Sequence, residues 1–442
     1  MQNWIVTTDG RPLAEVEKRL SKYLGWLDVR LFALSEHRAV LRGPIRQALA
    51  AQYPHVPEAA MRSVLGIDSW RAVDDVESAI LVAQRDDVDL PPRRAASRAL
   101  ASAAAATGLD SQLDRIGIAA AWAAVGGPDG IAWGPLKAGQ IDTGYLRHPV
   151  FGFEAAPRVL VDRAETYFPP PAAPDQPQTA DPGPGKGVDS GQGLSGGHGT
   201  RIGGAIVGHD RATGGMPYFG SAPKLPLIPV RITDLVLISH AQDQFAQAID
   251  HLLAEGVAVV NVSLGTPFGA TPAMRRAVDR CYDAGTILIC AAGNIVNDVV
   301  APAKFPRAIA VAGVAPDDKP WGGSAFGPEV AFSAPSEQIR RAQVKRTVPK
   351  GYAGGGDGTS YATALTTGVA ALWLKHRSAE IAQAYTEPWQ KIEAFRTLAR
   401  QTARKPPGWQ PDGGFGAGIL DAGALLAAPL PAAAALVERA RS

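Results

Sequence analysis

The chain has 442 residues, 46% of them hydrophobic, enough to fill the core of one large α/β domain and a smaller one. Its 44 Lys and Arg against 42 Asp and Glu leave a formal charge of +2, which gives no electrostatic case for nucleic acid or an anionic membrane as partner. Cys281 and Cys290 are the only cysteines, a usage that fits buried small hydrophobes in a reducing compartment rather than a disulfide framework.

The opening stretch MQNWIVTTDG has no basic region followed by an apolar one, so no secretory signal is legible and a cytoplasmic location is expected. NWIVTT reads as a strand and PLAEVEKRLSKYLG as an amphipathic helix. DVRLFALSEHRAVLRG follows as a hairpin around Ser35 and Glu36, then PIRQALAAQYP as a helix and SVLGIDSWRAV as a last strand. This order predicts a small α+β domain of split βαβ type over residues 1–85. Residues 86–112 mix acidic, Pro-Pro and dibasic pieces without a hydrophobic face, and are expected to form a linker that includes a candidate processing region, LPPRRAAS.

From 113 to 426 the apolar runs KAGQID, LPLIPVRI, VAVVNVSLG, TILICAAGN and AIAVAGVA alternate with the helical QDQFAQAIDHLLAEG and TPAMRRAVDRCYDAG. That alternation predicts an α/β domain with a doubly wound, mostly parallel sheet covered on both faces. Residues 167–197 are dense in Pro and Gly and too poor in apolar residues to form a layer, so they read as a long surface insertion or a lid. The alanine-rich end, broken by Pro429 and Pro431, falls short of a membrane span of about 20 residues. Residues 427–442 are therefore expected to form a helical tail.

An acid, a base and a nucleophile occur in the order Asp, His, Ser: Asp142 in IDTGYLRHP, His198 in GGHGTRIGG and Ser360 in GTSYATAL. A serine hydroxyl is a weak nucleophile at neutral pH and needs an imidazole to take its proton. The imidazole needs a carboxylate to fix its tautomer and stabilise its cation. Singly, each residue reads as a cap or turn residue. Together, Asp142 ends a predicted strand while His198 and Ser360 begin predicted helices, the positions where open α/β sheets gather ligands. A helix start at Ser360 can act as an N-cap and also offers a backbone N–H to a developing oxyanion, and Asn294, after the run LICAAG, offers a side-chain amide to the same oxygen.

Over about Leu113 to Leu426 the chain resembles the subtilisin-like serine proteases, through IDTG with the following His-Pro, GHGT, NVSLG, AAGN, GTSYA and GAGILDAGALL. The resemblance implies a triad of Asp142, His198 and Ser360, with Asn294 and the Ser360 amide as oxyanion hole. It implies a cleft lined by Ser263, Leu264 and Gly265 and by Ala291, Ala292 and Gly293, the first segment pairing with an extended peptide through main-chain hydrogen bonds. The expected activity is endopeptidase hydrolysis through an acyl-enzyme on Ser360, with no metal or cofactor needed for catalysis. The alternatives are a peptide ligase or macrocyclase on the same scaffold, or a protein-binding relic.

Two positions leave the family pattern: Arg201 stands where the family usually has His, and Ala364 where it usually has Pro. Arg201 is expected to point outward into solvent; Ala364 restores an N–H that proline lacks. Residues 1–85 resemble the family's inhibitory propeptide in layout, which would make the chain's own N-terminal domain a partner that blocks the cleft until cut. Structural calcium is common in the family, but Asp317 with Asp318, and the DDVD run, show no ligand loop and are expected to be solvated surface charge.

Overall fold

The computed structural model describes residues 3–8, 12–24, 30–33, 38–42, 45, 50, 57–65, 67–73, 111–153, 157–168, 186–189, 195–213, 217–345 and 348–442. The chain divides into two compact units, residues 1–91 with 294–297, and residues 92–293 with 298–442. In the first, β1 (Asn3–Thr8), α1 (Leu13–Leu24), β2 (Arg30–Ala33), β3 (Arg38–Arg42), α2 (Glu58–Leu65) and β4 (Ile67–Val73) build a four-stranded sheet of order β2-β3-β1-β4. β1 pairs antiparallel with β3 and β4, and Trp4 and Val6 pack with Val16, Leu20, Leu41 and Leu65 into one core. This is the plait that the order of elements implies.

The last strand starts later than expected. Pro57 opens α2, its carbonyl accepting the amides of Ala60 and Met61, and the buried pair Met61 and Leu65 sits at i, i+4 spacing. Residues 63–65, assigned to the strand on sequence, therefore close a helix instead. The expected helix over PIRQALAAQYP lies outside the described residues apart from Ile45 and Ala50, as does most of the linker.

The second unit is built on β5 (Ala138–Asp142), β6 (Glu165–Thr166), β7 (Leu227–Arg231), β8 (Val259–Val262), β9 (Ile287–Ala291), β10 (Ile309–Val314) and β11 (Val330–Pro335). These form one sheet of order β11-β10-β9-β8-β5-β7-β6 in which every pairing is parallel. β5, β7, β8, β9, β10 and β11 are buried along their whole length, as strands covered on both faces must be. The covering helices include α3 (Ile118–Ala124), α4 (His198–Val207), α5 (Gln242–Ala254), α6 (Pro272–Asp283), α7 (Thr359–Ala384), α8 (Gln390–Thr402) and α9 (Ala422–Ala427). α7 is the central one: it is buried from Thr359 to Leu374 and packs on β8 to β11 and on α4. β12 (Ile339–Lys345) and β13 (Val348–Gly356) form a separate antiparallel ribbon that leads into α7. The chain passes from β7, on one side of β5, to β8 on the other, so the carboxyl end of β5 is the switch point where such sheets open a crevice.

Two further sequence expectations change. The tail over 427–442 is not a helix: α9 ends at Ala427, and after Pro429 and Pro431, which lack an N–H, only one 3₁₀ turn forms at Ala433–Ala435. The tail is instead pinned by side chains, with the Arg439 amide donating to the Tyr282 hydroxyl at 3.0 Å and Arg307 paired with Glu438 at 2.7 Å. Asp318 is not solvated surface charge, because Arg115 and Arg404 close on its two oxygens at 2.8 and 2.5 Å; Asp317, exposed, faces Lys319. Cys281 and Cys290 are buried free thiols whose ionisation burial pushes up. Among the described residues no helix is long and apolar enough to cross a membrane.

Candidate active site

Asp142 is the last residue of β5 and 1% exposed, and its Oδ1 lies 2.7 Å from His198 Nδ1. An ionised carboxylate can only accept, so Nδ1 carries the proton and donates it, which leaves Nε2 of the neutral ring as an acceptor. The amide of Thr143 also donates to Asp142 Oδ1, at 2.7 Å. His198 opens α4 behind Gly197, whose left-handed backbone (φ 75°) turns the chain into the helix. Gly199 allows the close approach that the pair requires: a Cβ there would stand 1.9 Å from the Gly144 carbonyl oxygen, two residues beyond Asp142.

The first turn of α4 is clamped to the chain after β5. Gly199 donates its amide to Thr143 Oγ1 at 3.0 Å and accepts from Gln140 Nε2 at 2.8 Å, while the Leu146 amide donates to Thr200 Oγ1 at 2.8 Å. A buried carboxylate completes the clamp. Asp189, 3% exposed, accepts the Thr143 hydroxyl at 2.5 Å and the Gly197 amide at 2.9 Å on one oxygen, Oδ2. Sequence reasoning missed Asp189, since an acid in a stretch poor in apolar residues carries no local sign of burial. Most of the surrounding insertion, 169–185 and 190–194, lies outside the described residues.

Ser360 is the second residue of α7 and 5% exposed; the N-cap is Gly358, so Ser360 does not cap the helix. Its amide falls in the first turn, where no intrahelical acceptor exists. Its hydroxyl donates to the Ser263 carbonyl at 3.2 Å, and Ser263 Oγ donates back to the Ser360 carbonyl at 3.1 Å. Behind this exchange the fully buried Asn261 donates to Ser263 Oγ at 3.0 Å and accepts from Thr367 Oγ1 at 3.2 Å, which locks the end of β8 to α7. Among the described residues no hydrogen bond joins Ser360 to His198. Ala364 is fully buried inside α7.

Of the other expected residues, Ala291 ends β9 and Ala292 and Gly293 follow it, the Gly293 amide donating to Thr359 Oγ1 at 3.3 Å. Asn294 is the next residue in the chain. Ser263, Leu264 and Gly265 continue from β8, Leu264 being buried and Gly265 already paired through both backbone groups with the stretch Val236–Ile238. Arg201 contradicts its expected outward pose. It is 1% exposed, with Nη1 donating to the Gly196 carbonyl at 3.2 Å, because all ten residues of α4 are buried and the helix has no solvent face. Among the described residues no group of three or more His, Cys, Asp or Glu stands close enough to hold a metal ion.

The profile of the subtilase family matches residues 141–418, which include Asp142, His198, Ser360 and both cleft segments. Subtilisin NAT of Bacillus subtilis subsp. natto is 33% identical over 188 residues, 40% of this chain and 46% of that protein. A subtilisin of Bacillus pumilus is also 33% identical over 188 residues, 40% of this chain and 64% of that protein. The chain thus spans about half the length of the first of these relatives. In fold it is similar to MycP1 with its N-terminal propeptide removed, at a TM-score of 0.52 and 20% identity over 73% of this chain and 98% of that one. The family match extends across the buried Asp142–His198 pair, the helix start at Ser360 and the parallel sheet that carries them, and the chain belongs to the subtilase family.

Proposed function

We propose that this chain is a serine peptidase in which Ser360 is the nucleophile, His198 its base and Asp142 the group that orients the base. The observation that carries the reading is the 2.7 Å contact of Asp142 with His198 Nδ1, which fixes the tautomer that leaves Nε2 free to take a proton. As substrate enters, the Ser360 hydroxyl turns from the Ser263 carbonyl to Nε2, a tightening common when resting sites fill. Oγ then bonds to the substrate carbonyl carbon while its proton passes to Nε2. The oxyanion is held by the Ser360 amide and by the Asn294 side chain. The C–N bond breaks, His198 returns the proton to the leaving amine, and water attacks the acyl-enzyme by the same route to release the acid. Asp189 and Thr143 act as positioning residues, holding the chain on either side of His198. The segments Ser263–Gly265 and Ala291–Gly293 line the cleft, and residues 1–85 act as an attached inhibitory domain.

Digestion of a peptide mixture in ¹⁸O-labelled water tests the reading. One ¹⁸O in each new carboxyl group, lost in Ser360→Ala, is the expected result. Joined peptides without label would point to an amine acceptor and a ligase, and equal cleavage by Ser360→Ala would refute Ser360 as nucleophile.

A further inference from the structure

The edge of chain beside Ser360 is partly filled by the protein itself. In an extended strand the N–H and C=O of one residue share an edge, and alternate residues repeat it. The Ser263 carbonyl faces the Ser360 hydroxyl at 3.2 Å, so Gly265, two residues on, presents its backbone groups along the same edge. Thr266 faces the opposite way, exchanging both hydrogen bonds with Ala301 at 2.8 and 3.0 Å. On the Ser360 edge the Gly265 amide donates to the Val236 carbonyl at 3.1 Å, and its carbonyl accepts the Ile238 amide at 3.0 Å, a parallel bridge centred on Leu237.

The stretch that makes this bridge is fastened at both ends. Asp234 pairs with Arg231 at 2.6 Å and the Leu235 amide donates to Thr233 Oγ1 at 3.0 Å. Beyond it, Ser239 Oγ lies 2.8 Å from Thr266 Oγ1, and Gln242 donates to the Ser239 carbonyl at 3.3 Å. Ile238 is fully buried. Gly265 is also closely packed, since a Cβ there would stand 2.4 Å from Val300 Cγ2.

We propose that Val236–Ile238 is a built-in strand that occupies the place of the third acyl-side residue of a substrate. Recognition on that side of the scissile bond is then confined to two residues. An acyl-side peptide pairs by strand addition, which needs unpaired backbone groups on the receiving edge. The first residue can donate its N–H to the Ser263 carbonyl. The third would meet Gly265, whose donor and acceptor are both taken. The substrate class is therefore peptides read through one or two residues before the cut, with the remaining chain turned away from this edge. The inference rests on Ser360 being the nucleophile.

The test compares rates of covalent labelling of the full chain by peptidyl phosphonate esters carrying one to four residues, beside a simple alkyl fluorophosphonate. Two open hydrogen-bonding positions would together be worth roughly 30-fold. Labelling by the simple probe with a gain of less than about 5-fold from two residues to four is the expected result; a larger gain overturns the proposal. Amide hydrogen exchange reads the edge without chemistry: slow exchange at both Gly265 and Ile238 is expected, and fast exchange at either overturns the closed edge. Failure of the simple probe to label Ser360 would instead remove the peptidase reading, with exchange still deciding whether the edge is closed.

Discussion

His198 Nδ1 and Asp142 Oδ1 lie 2.7 Å apart between side chains that are only 4% and 1% exposed, so the imidazole is held in one tautomer by a carboxylate shielded from water. Asp142→Asn keeps the shape but replaces an acceptor with an amide that can donate to Nδ1, favouring the wrong tautomer. kcat on a peptide anilide is expected to fall by about 10⁴-fold, the size of the same change in the serine protease triad. A loss below about 10-fold, with the fold intact by circular dichroism, would contradict the orienting role.

Asp189 holds Thr143 and Gly197, the neighbours of the two paired residues, through one buried oxygen. Asp189→Asn should lower kcat by roughly 10- to 100-fold with KM little changed, since it loosens the approach of His198 to Asp142 and touches no substrate. Thr143→Val should do the same, and Thr143→Ser should restore most of the rate because the hydroxyl returns. A pure stability effect would show as a lower melting temperature with kcat per folded molecule unchanged.

Asn294→Ala is expected to reduce kcat by about 100- to 1,000-fold, the magnitude known for an Asn oxyanion donor of subtilisin. The loss should lie in kcat rather than KM, because the oxyanion exists only in the transition state. A change confined to KM in steady-state assays would assign Asn294 to ground-state binding.

Arg201 is buried in a helix with no exposed face. Arg201→Ala is expected to cost about 2–4 kcal/mol of unfolding free energy in denaturant titrations, from the cavity and the lost bond to Gly196. Lysine should rescue little of it, since it lacks the planar fork.

Asp318 gives the fold an acid-sensitive tie. Burial pushes its carboxyl up, but bonds from Arg404 and Arg115 outweigh this and hold it below the usual carboxylate range. A depressed folded value means the stabilisation is present above the unfolded value of about 3.9 and is lost as pH falls through the folded one. Asp318→Asn, which keeps a residue tolerant of the positive φ of 63°, should lower the melting temperature at pH 7 and flatten its fall below about pH 4. An unchanged pH profile would contradict the tie.

The sheet was legible in the sequence because apolar runs and amphipathic helices alternate with little interruption from β7 to β10. The placement of Asp142 at a strand end and of His198 and Ser360 at helix starts was legible for a related reason, and Gly144 and Gly199 mark the close approach between the first two. What escaped is what depends on tertiary cover. Arg201 carries a charge that reads as outward until α4 is enclosed on every side, and Asp189 sits in a polar stretch whose burial no periodicity announces. Gly265 looked open to substrate, since nothing in the stretch DLVLI marks it as a strand that would pair there.

If Ser360 is a nucleophile activated by the Asp142–His198 pair, an alkyl fluorophosphonate will react with it, and peptide mapping of the labelled protein reads where. A single adduct on Ser360 is expected, absent in Ser360→Ala and formed at least about 100-fold more slowly in Asp142→Asn. Absence of an adduct in the folded wild type, or an adduct on another residue that persists in Ser360→Ala, would contradict it.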